Sequence, residues 1–131
     1  MRGGFIIAVD EGLFERSARA LTELGGTQAT DSDGDGVVQF ADADGRMFTL
    51  FERVPAGTEW EVREGPFVPA PGAIPPDMGQ VIACPFECRW PDLTATLADT
   101  IAQTAEAPTW VLDGDGVIWD AEAVDSDKVR L

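Results

Sequence analysis

The sequence contains no histidine and a single lysine, Lys128. Without histidine, no Ser/His or Cys/His nucleophile pair can be assembled. With only two cysteines besides, a four-ligand Cys/His zinc site within one chain is excluded as well. Those cysteines, Cys84 and Cys88, stand in the stretch CPFEC, which lacks the two-residue spacing of redox and zinc pairs. Along a continuous strand their sulfurs share a face about 13 Å apart. Buried free thiols that pack as small hydrophobes are therefore expected, with a pair drawn together by a bulge at Pro85 as the alternative. Long apolar runs are missing too: Phe5 to Val9 is followed at once by Asp10 and Glu11, too short for a secretion signal or a membrane helix. A reduced, cytoplasmic setting without membrane contact is the expectation.

What the chain does have is negative charge. Against 9 basic residues it carries 24 acidic ones, a net charge of −15. Such a surface repels nucleic-acid phosphates and speeds encounter with basic partners, so no nucleic-acid partner is expected. High acidity with little lysine also suits a salt-adapted organism, and this reading stands beside the functional one. A length of 131 residues with 44% hydrophobic content is enough for one domain, residues 1–131, with its own core.

Along the chain, Phe5 to Val9 reads as a strand or as the lead-in to a helix. Asp10 is then a reasonable N-cap for a helix in which Leu13, Phe14, Ala18, Leu21 and Leu24 recur at helical spacing until Gly25-Gly26. Thr27 to Thr30 reads as a short strand and Asp31 to Gly36 as a loop. Val37 to Asp42, Arg46 to Val54 and Thr58 to Arg63 follow as three strands joined through Gly45 and Gly57. Residues 65–79 hold five of the nine prolines, a density that prevents helix and central strand. They are expected to cross the surface, fastened by Phe67 and Ile74. Gln80 to Trp90 reads as a strand interrupted at Pro85. Pro91 opens a second helix whose apolar face is Leu93, Leu97, Ala98, Ile101, Ala102 and Ala105. A terminal hairpin around Gly114-Asp115 carries Trp110 and Trp119, and in the charged tail Val129 or Leu131 docks. The expected fold class is α+β: an antiparallel sheet built on the three-stranded meander Val37 to Arg63, with two helices packed on one face.

Few residues look like chemistry. Asp31, Asp33, Asp35 and Gly36 match the opening of an EF-hand loop, with Asp42 at its twelfth position. An extended exit strand would hold Asp42 roughly 23 Å from the cluster. The three aspartates are thus at most a weak calcium site, and no metal or cofactor is assigned. Carboxylate pairs such as Glu59 with Glu61 or Glu52 with Glu87 are expected by chance at this acidity, so no catalytic residue is assigned and no enzyme is expected. Trp60, Trp90, Trp110 and Trp119 are read as core before binding platform. Arg89, beside Trp90, is read as a surface ion pair.

Small size, strong acidity and the absence of catalytic machinery give this chain a profile that resembles the immunity proteins of bacterial polymorphic-toxin and contact-dependent inhibition systems. The resemblance is one of class and carries no motif. It implies a domain that neutralises a cognate basic toxin by covering its active site. The acids expected to meet such a partner are Asp31, Asp33 and Asp35, the outward Glu59 and Glu61, and Asp113 with Asp115. The alternatives are a non-catalytic accessory domain whose acidity belongs to its organism, and a weak calcium-binding module.

Overall fold

The structure, a computed structural model, describes residues 2–104 and 107–131; the Ala105 position assigned above to the second helix lies outside them. Eight strands make one sheet in the order β2-β3-β4-β6-β1-β7-β8-β5. They are β1 (Gly3–Ala8), β2 (Thr27–Thr30), β3 (Gly36–Ala41), β4 (Met47–Phe51), β5 (Val68–Pro69), β6 (Ile82–Cys88), β7 (Trp110–Leu112) and β8 (Val117–Asp120). All neighbours run antiparallel except β5 and β8. The helices are α1 (Leu13–Glu23), α2 (Trp60–Arg63) and α3 (Pro91–Ala102). The class is α+β on a mostly antiparallel sheet. No helix among the described residues is long and apolar enough to cross a membrane.

The meander expected at Val37 to Arg63 is displaced by one strand. Its members are β2, β3 and β4, and Thr58 to Arg63 is not a strand at all. After Pro55 the chain turns on itself: the Thr58 hydroxyl donates to the Pro55 carbonyl, and the N–H groups of Glu61 and Val62 donate to the carbonyls of Thr58 and Glu59. Glu61 in the first turn and Arg63 in the last suit the dipole of the short helix that results. The alternation of Trp60 and Val62, which reads as a strand, is satisfied by a helical turn that buries Val62 and leaves Trp60 exposed.

The centre of the sheet is β6 and β1 rather than the meander. Gly3 is obligatory there, because a Cβ on it would lie 1.8 Å from the Phe86 carbonyl oxygen. On one face Ile6, Phe48, Leu50, Phe86 and Val111 meet Leu13, Leu21, Leu97 and Ile101 of α1 and α3. Each such fully buried side chain stabilises the fold by about 1.5–3 kcal/mol. Val129 of the tail docks into the same cluster. On the other face Ile7, Trp110, Leu112 and Ile118 pack with Val62 and Val81.

The proline-rich excursion packs Phe67 and Met78 on part of that second face and Ala70 and Ala73 into the first cluster, and it joins the sheet edge as β5. Phe67 is half-buried in the second cluster, as expected of a fastener. Ile74 is not: its side chain is 83% exposed, and only its carbonyl is held, by the indole N–H of Trp110 at 3.0 Å. Arg63 adds a second clasp, donating to the carbonyls of Met78 and Val81.

Candidate functional site

Strand β6 runs straight through Pro85, contrary to the expected interruption. The Cys88 N–H donates to Arg2 on the β1 side. By strand alternation the N–H groups of Phe86 and Cys84 face β1 too, so the nitrogen of Pro85 faces β4. The β4 ladder ends at Leu50↔Phe86, one residue before Phe51 would need an N–H from Pro85. Phe51 stays paired with Val37 of β3 but is free of β6, the residues after it leave the sheet, and a groove of about 1460 Å³ lies between this segment and the sheet face. Phe5, Phe51, Pro85 and Phe67 give it apolar lining, and α2 with the hairpin turns forms its rim.

The turns share one construction, D-x-D-G-x, at Asp31, Asp42 and Asp113. In each, the Oδ1 of the first Asp accepts the backbone N–H groups two and four residues on: Asp33 and Asp35, Asp44 and Arg46, Asp115 and Val117. The glycine in each takes a positive φ, 84° at Gly34, 79° at Gly45 and 80° at Gly116, as a three-residue hairpin loop requires. Asp77, Asp120 and Asp125 also accept an N–H from two residues on. Six aspartates thus have a local structural task.

All seven acids singled out from the sequence, Asp31, Asp33, Asp35, Glu59, Glu61, Asp113 and Asp115, line this one groove. They are not equally free. Asp113 is 5% exposed, and its Oδ2 accepts the Trp119 indole N–H at 2.9 Å and the Arg130 N–H at 3.2 Å. It is a structural hub, whose carboxylate is taken up by the hairpin and the tail. Asp31 closes its own turn through Oδ1, Asp35 accepts from Arg53 at 2.9 Å, and Glu59 accepts the Gly57 N–H. Asp33, Glu61 and Asp115 are exposed and accept no hydrogen bond from the described residues. Glu52 and Glu87 also line the groove, though Glu52 is held by the Gly36 N–H at 2.7 Å.

The EF-hand resemblance dissolves in this geometry. The Oδ1 of Asp31 is directed at its own backbone, and Asp42 sits across β3 in a second turn, bound to Arg46. Among the described residues no group of three acids or cysteines is arranged to hold a metal ion.

Elsewhere the ionic groups are structural. Asp10 does not cap α1, whose N-cap is Gly12; it binds the Arg16 guanidinium at 2.9 and 3.0 Å. Arg16 is buried and donates also to Ile101 O and Thr109 Oγ1, tying α1 to the end of α3 and to the residue that precedes β7. The Arg16 hydrogen bond keeps the Asp10 carboxyl below its ordinary pKa. Arg46 donates to Asp42 at 2.7 Å and to both oxygens of Asp92 at 3.0 and 2.9 Å. The Arg46 backbone N–H and then its guanidinium hold Asp42 below the usual carboxylate range, and the guanidinium does the same for Asp92. Among the described residues Arg89 makes no ion pair; Arg46 is the residue that lies on Trp90. Cys84 and Cys88 are free and buried in a continuous strand. Burial, with Glu15 and Glu52 nearby, pushes the Cys84 thiol up to about 12.

Trp110 and Trp119 are core, whereas Trp60 and Trp90 are 56% and 41% exposed. The groove role of Trp60 is what sequence reasoning missed. Its signal was the run Glu59-Trp60-Glu61 directly after a Pro-Ala-Gly turn. Nine carboxylates and three arginines line the groove, and two of those arginines are engaged, Arg53 with Asp35 and Arg63 with backbone carbonyls. Its field therefore favours cations. Compared with known protein families, curated proteins and solved structures, the chain finds no significant match, which leaves the chemistry of the groove as the ground for a functional reading.

Proposed function

We propose that this chain is a protein-binding domain whose acidic groove receives a basic partner, in the manner of an immunity protein covering the active site of a toxin. The observation that carries the reading is convergence. Acids from three turns far apart in sequence, at Asp31, Glu59 and Asp113, line one groove with an apolar floor. Charge on the rim serves fast encounter, and the floor offers Phe51, Phe5 and Pro85 for desolvated contact. The test is co-expression with the product of the adjacent upstream gene, scored by growth rescue and by a purified complex. Association should slow steeply as ionic strength rises, while dissociation should change little.

A second reading has its own support. Six aspartates close their own turns, so a share of the acidity is architectural, as expected of an accessory domain with no basic partner. Failure to form a complex, together with no cost in growth on deleting the gene beside its neighbour, would favour this reading.

A further inference from the structure

We infer that Trp60 is the platform for a guanidinium group of the groove's occupant, with the free groove carboxylates, Glu61 beside it among them, as its ion partners. The inference rests on the groove reading above and specifies which side chain of the partner is recognised. The four tryptophans divide cleanly. Trp110 and Trp119 are buried, with their indole N–H groups on Ile74 O and Asp113 Oδ2. Trp90 is exposed, but the Arg46 guanidinium carbon lies 5.6 Å from its ring centroid, and that guanidinium is in turn held by Asp42 and Asp92. The chain thus contains one complete instance of an arginine lying over an indole and between two carboxylates. Trp60 offers the same kinds of group without the arginine: an exposed indole with a carboxylate on either side of it along the helical turn, Glu59 and Glu61. It is the more exposed indole, it lines the groove, and its two neighbours are carboxylates that line the groove with it. No cation of the described residues lies over its ring.

The acceptors suit the fork of a guanidinium. Glu59 engages one oxygen with the Gly57 N–H and keeps the other. Glu61 accepts no hydrogen bond from the described residues. Arginine is favoured over lysine because a planar, weakly hydrated guanidinium can stack on an indole and still donate from its edge to a carboxylate.

The probes are hexa-arginine amide and hexa-lysine amide, titrated into the full-length chain labelled with 15N. The four indole N–H resonances serve as reporters, each assigned by substitution to Phe. Hexa-arginine should move the Trp60 indole signal saturably and leave those of Trp110 and Trp119 in place. It should bind more tightly than hexa-lysine, and Trp60→Leu should weaken it about fivefold. Glu61→Gln should narrow the preference for arginine. Because Trp60 is exposed, its variant should remain folded, and the Trp119 indole signal checks this. The Trp60 inference fails if Trp60→Leu binds hexa-arginine as well as the parent while Asp33→Lys and Asp115→Lys weaken it; the groove reading then stands. If none of these substitutions weakens binding, both fail.

Discussion

At Asp31 and at Asp113 the same carboxylate oxygen closes the same hairpin turn, but the second oxygen has opposite surroundings. In the Asp31 turn Oδ2 belongs to an exposed side chain and has no partner among the described residues. In the Asp113 turn it is buried and accepts from Trp119 and from Arg130, which fixes the C-terminal tail against the hairpin. The Asp42 turn is intermediate, its Oδ2 on an arginine that bridges to α3. One motif, D-x-D-G, therefore builds three turns that differ in what an acid contributes. Near Asp113 it contributes packing; near Asp31 it contributes field.

The largest effect expected is at Asp113. Asp113→Ala removes the acceptor for four N–H groups, one of them the buried Trp119 indole, and should cost about 3–5 kcal/mol, read as a lowered midpoint in urea. Asp113→Asn should recover only part, since its amide nitrogen meets two donors. An equal loss at Asp31→Ala would break the comparison.

The next effect tests whether partner burial, rather than turn geometry, sets the cost. Asp10 makes no such turn but faces the buried Arg16, and Asp10→Asn should cost about 2 kcal/mol at neutral pH. The native state holds the Asp10 proton more weakly than the unfolded chain, which titrates near the ordinary value of 3.8. Its stabilisation is therefore full above that value and is lost as the pH falls through the lower, folded-state value. The difference between parent and variant should shrink towards zero below pH 3.8. A difference that stays constant with pH would assign the loss to packing.

The smallest effect on stability is at the first turn. Asp31→Ala should cost about 0.5 kcal/mol, and Asp33→Lys should leave the midpoint unchanged. Both should slow association with a basic partner, Asp33→Lys more, because it reverses a free charge on the groove rim. Asp42→Asn should fall between Asp31 and Asp113 in thermal stability.

How much of this could be read from sequence follows the range of the interactions. Helical spacing over Leu13 to Leu21 and Leu93 to Ile101 gave both long helices, and Asp-Gly at three positions gave the turns. Thr58 to Arg63 failed because the five alternating residues Glu59 to Arg63 fit a helical turn as well as a strand. Pro85 failed because a missing N–H disqualifies a strand only on the side where a partner needs it. The seven acids could be named singly, but their convergence depends on β1 inserting between β6 and β7. That is a pairing between residues about 80 and 105 positions apart, and no local pattern records it. The hub role of Asp113 was hidden in part for the same reason, since Arg130 reaches it only where the tail folds back onto the hairpin.

Pro85 separates two properties of the groove. Its shape originates in the backbone, where a ladder stops for want of one N–H, while part of its charge sits on rim side chains that accept no hydrogen bond from the described residues. Asp33, Glu61 and Asp115 can therefore be exchanged for other residues with the cleft still open beneath them. A lineage carrying this fold could change its partner by a few surface substitutions and keep one scaffold, whereas replacing Pro85 would let β4 zip onto β6 and narrow the opening for every partner at once.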